Sequence, residues 1–582
     1  MPQFHYAISG KVEDLVKDEK AFRPLGAQIR KNIESVLRDY EIKDAATRRD
    51  LLGVLATLDV LESRDAAARK KLDEIRSLEE KPAAKLMGGR LDWTMRAILD
   101  ARRQTNDRTS SAYRQAVYAS MKRALESAPY EVVQNDIKAA KASLEMTSES
   151  FMIGRLRSSF DPIAAKTGGL SSNLAHALPG MRWGLVEGIP LKATFLGALD
   201  SYLAAHTTEK ENIWTARNMD LEPGKNYALV KVAVWDRGVD AAIFRDRLVQ
   251  LPNGQPAVIA FDRNFRKTTG VLSPLTEEQA LRYPEAIKHM KGMADMRANV
   301  ETPEAVELRR VMGALKPDQL LPFEELSLFG TYVHGTHVAG ILMAGNPYAR
   351  LAVARSSGEY NKTRETCPSA ERMQLAGRAN QAFVDFFKSQ GVRVVNMSWR
   401  GEVKGTEDAL EECGIGKPGE DRHQTARRWF DIWKNALEES LRAAPEILFI
   451  AGAGNSNSDA GFTGGAPGGL RMPNLLTVGA VDMAGRETSF TGYGPAVAVH
   501  ADGYEVESYI PGGTRLKLSG TSMAAPNVAN LAAKILAVNP KLSAPEVIAL
   551  IRKTADKSED GRRNLIHPKN AVAAATTRFG IE

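Results

Sequence analysis

The sequence predicts a doubly wound α/β domain built on a parallel sheet and preceded by an all-α helical domain. Two observations carry this reading. From Tyr227 onward, short apolar runs rich in β-branched residues (YALVKVAVWD, VRVVNMSW, EILFIAGAG and LLTVGAV) alternate with helical stretches at 375–390 and 424–443. That is the pattern of buried strands joined by crossover helices. The first 165 residues instead carry apolar positions at helical spacing and no alternating strand run. At 582 residues the chain is too long for one compact core, so more than one domain is expected.

Taken in order, Ile29, Ile33, Val36, Leu37 and Tyr40 mark a first amphipathic helix. Leu51, Leu52, Leu55, Leu58 and Leu61 mark a second, and Leu72, Ile75 and Leu78 a third. Pro82 and the Gly88–Gly89 pair punctuate the series, after which Trp93 to Leu99, Tyr113 to Leu125 and Val132 to Leu144 read as three more helices. With 27 Lys plus Arg against 24 Asp plus Glu in residues 1–150, this region is nearly neutral. The apolar stripes predict a bundle packed on its own core, with a seam for a partner as the alternative. TGGLSSNLAHALPG at 167–180 reads as a linker, which sets domains at 1–165, 166–204 (linker or irregular lead-in) and 205–582. Within the last, a helical insertion is expected at about 245–325, carried by 277–299 and 303–316. The stretch at about 400–425 reads as a loop.

A content of 43% hydrophobic and 26% charged residues is that of a globular chain rather than a disordered one. The net charge of +7 is small beside 78 basic and 71 acidic side chains, and no block of like charges appears, so nucleic acid is not expected as a partner. The amino terminus lacks a basic head followed by an apolar run, and no stretch reaches the roughly 18 apolar residues of a membrane span. Only Cys367 and Cys413 are present, which predicts two free thiols rather than a disulfide framework. Together these features favour the cytoplasm and no membrane association.

Three segments carry the chemistry. VAVWDRGVD (232–240), HGTHVAG (334–340) and SGTSMAAPNVA (519–529) place Asp236, His334 and Ser522 in that order. Nucleophilic acyl transfer needs a hydroxyl, an imidazole to take its proton, and a carboxylate to hold that imidazole in one tautomer. Each residue also has a plainer reading. Asp236 could serve only as a turn residue beside Gly238. His334 and His337, three apart, could face a metal, yet a zinc hydrolase needs HExxH, and here Gly335 and Thr336 intervene with no Glu. Ser522 could simply cap a helix, although a helix start also supplies outward-pointing N–H groups for a developing anion. The GxSxG elbow is excluded because position 524 is Ala. Asn455, in GAGN, could close a dinucleotide loop, but position 457 is Asn where the third glycine is required.

These three motifs in this order, with ILFIAGAGN at 447–455, resemble the subtilisin-like serine peptidases, or subtilases. The resemblance continues through VVNMSWRG (394–401), MPNLLTVGAVD (472–482), SFTGYGP (489–495) and NLIHPKNAVAAA (564–575), and so covers about 205–582. It implies a subtilisin-like fold with Asp236, His334 and Ser522 as the triad. It also implies Asn455 as the oxyanion donor beside the Ser522 amide, and His337 as a structural residue. By the same resemblance Ser398, Trp399, Arg400 and Gly401 form the edge along which substrate lies. Gly452, Ala453 and Gly454 form the opposite wall of the pocket for the residue before the scissile bond. A protein or peptide substrate is implied, with no cofactor required and no metal among the site residues. Structural calcium is possible in the family, but no acidic loop here matches a family site.

The sequence departs from the family at three places. Arg237 stands where a small or polar residue is usual. Arg400 stands where glycine is usual, its charge either on the cleft rim, favouring acidic substrates, or in solvent. Residues 1–165 read as helices where the family often has a small α/β propeptide. They are therefore expected to be a retained regulatory or partner-binding module, with a cleaved prosegment as the rival. The function expected is that of a serine endopeptidase, with a catalytically silent scaffold that binds partners as the alternative.

Overall fold

The computed structural model describes residues 2–89, 91–105, 107–319, 321–356, 366–417, 419–462 and 464–577. They divide into two compact units, one of residues 1–209, 288–324 and 407–425, the other of 210–287, 325–406 and 426–582.

The first unit is helical. Asp18 opens the helix Glu19–Asp39 by accepting the N–H groups of Lys20 and Ala21, and Phe22, Leu25, Ile29, Ile33 and Val36 then recur at the spacing of one buried face. Asp44 likewise caps Ala45–Leu61, and Asp65–Ser77, Asp92–Arg102, Ser111–Glu126 and Tyr130–Met146 follow. Strand β1 (His5–Ala7) pairs antiparallel with β2 (Gly169–Ser171).

Residues 166–204 are not a linker. Gly168, at φ 73°, ends the helix Asp161–Thr167, and the chain runs on through β2 into the helices Leu178–Trp183 and Lys192–Ala205. Phe195, Ala198, Leu199 and Leu203 of the last helix share a core with Trp93, Ile98 and Val117. The glycine and proline that suggested a linker are a helix stop and a first-turn residue, positions where each is favoured. The helix Pro303–Gly313 also belongs to this unit, burying Ala305, Leu308 and Met312 with Ala142 and Met146. So does the helix Val403–Cys413 from Glu407 onward, where a loop was expected; its buried Glu411 accepts the Ser171 N–H at 2.6 Å. The cysteines also depart from expectation. Both Cys367 and Cys413 are disulfide-bonded, which removes the free-thiol argument for a reducing compartment.

The second unit is built on a ten-stranded sheet. In chain order its strands are β3 (Val230–Asp236), β4 (Val258–Phe261), β5 (Lys267–Thr268), β6 (Ala349–Arg355), β7 (Val394–Met397), β8 (Leu448–Gly452), β9 (Leu475–Val481) and β10 (Val497–Asp502). After a separate hairpin of β11 (Val506–Tyr509) and β12 (Arg515–Leu518), β13 (Asp556–Lys557) and β14 (Asn564–Leu565) complete it. The spatial order is β13-β14-β10-β9-β8-β7-β3-β6-β4-β5. Pairings from β14 to β4 are parallel, and only the outermost pair at each edge is antiparallel. The expected insertion at 245–325 is therefore not wholly helical, because β4 and β5 extend the sheet beyond β6 before the helix Glu277–Ala298 begins.

The sheet is covered on both faces, as its continuous apolar strands require. Val230, Val232 and Val234 point into one core with Val528, Leu531 and Ile535 of the helix Thr521–Val538. The alternate residues Ala233 and Trp235 point into the other, with Phe383, Phe387 and Leu437. Parallel pairing brings the carboxyl ends of β3, β7 and β8 to a single edge, where α/β sheets bind their ligands. Asp236 ends β3, Ser398 follows β7, and Asn455 lies just beyond β8.

Candidate active site

Asp236 is 3% exposed, and both of its carboxylate oxygens face His334 Nδ1, at 2.9 and 3.0 Å. Its Oδ1 also accepts the Arg237 backbone N–H at 2.7 Å. His334 lies within the helix Leu321–Met343, which one glycine lets approach the end of β3 and another lets approach β11. A Cβ at Gly335 would overlap the Gly238 carbonyl oxygen, and one at Gly340 would overlap Ser508 Oγ. With Nδ1–H donated to the carboxylate, Nε2 is left as the proton acceptor. Burial by itself lowers the pKa of His334. The Asp236 charge and hydrogen bond outweigh it, so the net direction is upward from 6.5, with Arg237 the smallest influence and opposed.

His337 behaves differently. It is fully buried and its Nε2 donates to the Leu516 carbonyl oxygen at 2.8 Å. Burial holds its pKa down at about 4, so it stays neutral and structural.

Ser522 is the second residue of the helix Thr521–Val538. Its hydroxyl donates to the Ser398 carbonyl oxygen at 3.2 Å, and Ser398 Oγ returns a bond to the Ser522 carbonyl oxygen at 2.9 Å. Asn396 Nδ2 donates to Ser398 Oγ, also at 2.9 Å. The candidate site thus consists of two hydrogen-bonded groups on neighbouring strand ends. Asp236 holds His334 at the end of β3, and Ser398 holds Ser522 at the end of β7. The Ser522–His334 bond is not made in this conformation.

Asn455 is exposed, and its Oδ1 accepts from both Thr521 N–H (2.9 Å) and Thr521 Oγ1 (3.1 Å). That leaves its amide N–H₂ as the outward donor, next to the residue that precedes Ser522. Thr521 was not singled out from the sequence. Its hydroxyl also accepts the Gly454 N–H at 3.2 Å, so it ties the segment after β8 to the start of the helix that carries Ser522. Nothing in a one-dimensional reading links residues 66 apart, and its place beside the serine was the only available signal.

The segments expected to bind substrate differ in their surroundings. The half-buried Trp399 indole packs against the aromatic core, 5.1 Å from Trp235 and 6.1 Å from Trp433. Gly401 already exchanges both backbone bonds with Ala466, at 2.9 and 3.0 Å, so its own backbone groups are taken up within the chain. Gly452 lies against Thr521, where any Cβ would crowd the Thr521 side chain, and the Ala453 N–H is held by Val478 at 2.9 Å.

Arg400 neither rims the cleft nor points to solvent, as the two expectations had it. Its side chain is 14% exposed and forms an ion pair with Glu402. Its Nη1 donates to the Ala453 carbonyl oxygen at 3.1 Å. The guanidinium occupies the space a Cβ at Gly465 would need, and packs beside Gly454. It therefore bridges the two segments read as opposite walls of the pocket.

Among the described residues no group of three or more His, Cys, Asp or Glu side chains is arranged to hold a metal ion, and no helix is long and apolar enough to cross a membrane.

Comparison with known proteins places the chain in a family. The chain is 30% identical over 241 residues to the subtilisin of Bacillus pumilus, an alignment covering 41% of this chain and 74% of that protein. It is 29% identical over 258 residues to M-protease of Shouchella clausii, covering 42% of this chain and 55% of the relative. The crystal structure of a cold-adapted subtilisin-like serine proteinase aligns at 19% identity with a TM-score of 0.35, over 60% of this chain and 94% of that one. The subtilase family profile (peptidase S8) matches residues 230–580. Since that match spans more than half of the sequence, the chain belongs to the subtilase family.

Proposed function

We propose that this protein is a serine endopeptidase that hydrolyses peptide bonds through an acyl-enzyme. The observation that carries the reading is the buried Asp236 carboxylate holding His334 Nδ1, on the strand end next to the one that holds Ser522. In this cycle the Ser522 side chain turns from the Ser398 carbonyl toward His334 Nε2 and gives up its proton as Oγ attacks the scissile carbonyl carbon. The Asn455 amide and the Ser522 backbone N–H receive the oxyanion. His334 then protonates the departing amine, and water, deprotonated by the same imidazole, releases the acyl group. Incubation of the full-length protein with denatured casein tests the reading. New termini that appear with wild type and not with Ser522→Ala support it, and uncut casein opposes it.

A catalytically silent scaffold is the second reading, favoured by one observation, the Ser522 hydroxyl bonded to Ser398 instead of His334. It predicts no turnover on any peptide.

Arg400 bears on substrate class. Since its guanidinium bridges the two pocket walls, the position before the scissile bond is proposed to accept small side chains. Arg400→Gly should raise kcat/KM for substrates with Leu or Phe there on the order of 10-fold relative to Ala, the scale at which pocket volume discriminates. A peptide library cleaved with the same profile by both enzymes would contradict this.

We further propose that the helical region is retained as a regulatory module. Intact mass of the active protein, compared with that of Ser522→Ala, should be unchanged at the amino-terminal side. Serine-dependent loss of that region coinciding with a rise in activity would identify a prosegment instead.

A further inference from the structure

The helical unit contains a groove of about 1160 Å³ that the peptidase reading does not use. One wall is the helix Glu19–Asp39, which contributes residues from Glu19 to Arg38 at successive turns, a span of about 28 Å. The floor is apolar, made by Phe22, Leu58, Leu61, Tyr113 and Leu191. The walls are cationic: eight lining residues are Arg or Lys and four are Glu, a difference of +4. Several of these cations are fixed by neighbours. Arg30 and Arg64 share the fully buried Asp59 at 2.9 and 2.8 Å, and Arg108 reaches Glu187 at 3.2 Å. Lys31 and Arg114 are exposed and form no ion pair among the described residues.

From this we infer that the groove is a docking site for an acidic amphipathic helix of a partner protein. Its length matches about five turns of helix. The apolar floor suits anchors repeating every three or four residues, and the cationic walls suit carboxylates flanking them, the combination by which helices are recognised in grooves. A nucleic acid is the poorer match. A phosphate backbone is uniformly anionic, whereas Glu19, Glu34, Glu62 and Glu187 are spaced along these walls, and an apolar floor offers a backbone nothing.

The test uses full-length Ser522→Ala protein, so that binding is read apart from any peptidase activity. The probe is a fluorescein-labelled peptide of about 18 residues with Leu on one helical face and Glu on the flanks, followed by fluorescence polarisation. Saturable binding is expected, weakened at least about 10-fold by scattering the same residues off one face, and weakened by added salt. Adding Lys31→Glu with Arg114→Glu, or Ala27→Trp, should each reduce affinity about 10-fold. Ala27 is exposed on the groove wall, so a large side chain there fills the groove without entering the core. Circular dichroism of each variant should match that of the parent. Absence of saturable binding up to about 1 mM peptide would overturn the inference. Equal affinity for the scattered peptide would do the same, as would indifference to both variants. Displacement of the peptide by a single-stranded oligonucleotide that binds more tightly would reassign the groove to nucleic acid.

Discussion

Ser522→Ala and His334→Ala are each expected to lower kcat by roughly 10⁶-fold, the scale known from triad deletions in subtilisin itself. Ser522 is the only proposed nucleophile, and the only base proposed for it is His334, whose Nδ1 is committed to Asp236. Removing either ends the same step, so the double variant should be no slower than the worse single one. Asn455→Ala belongs to the same series with a smaller effect, about 10² to 10³, again the scale of the corresponding subtilisin substitution. That loss should fall on kcat, because in the proposed cycle the Asn455 amide would meet the oxyanion only as the tetrahedral intermediate forms. Neither Ser522 nor Asn455 contributes to the buried cores, so thermal midpoints should stay close to wild type. Steady-state kinetics on one chromogenic peptide measures all three. Wild-type-like turnover in Ser522→Ala would remove the nucleophile from the account.

Asp236→Asn is expected to lower kcat by about 10⁴-fold and to move the acid limb of the pH profile. The imidazole must be neutral to act as base, so activity falls as pH drops through the pKa of His334. In wild type that pKa is raised, which sets the limb above 6.5. Replacing the carboxylate removes the influences that raise it and leaves burial, which lowers it. The limb of the residual activity should therefore shift downward. The linkage to folding has the matching sign. A raised His pKa stabilises the folded state below the unfolded value of about 6.5, and the contribution is lost as pH rises through the folded pKa. A limb unchanged in Asp236→Asn would mean that the carboxylate does not set the state of the imidazole.

Much of this was legible because the chemistry sits in short local segments. The runs that became β3, β7, β8 and β9 are largely apolar, the mark of strands buried on both faces, and β3, β7 and β8 carry Asp236, Ser398 and Asn455 to one edge. Strand β6, ARLAVAR, escaped notice although it pairs with β3 along its whole length, because flanking arginines interrupt the run. The region at 166–204 was misread because composition cannot separate a glycine that stops a helix from one that loosens a linker. Only the partners of Phe195 and Leu199, on helices far earlier in the chain, decide it. Arg400 was unreadable for a related reason. Its direction is fixed by Glu402 and by the missing side chain at Gly465, a contact made across 65 residues. Thr521 likewise acts through Asn455, which no local pattern announces.

The central claim, that Ser522 is a nucleophile activated by His334 and Asp236, is tested most directly by fluorophosphonate labelling of the full-length protein followed by peptide mapping. One covalent adduct is expected, on the peptide containing Ser522, absent from Ser522→Ala and strongly slowed in His334→Ala. An unmodified Ser522 after prolonged exposure of the folded protein would contradict it.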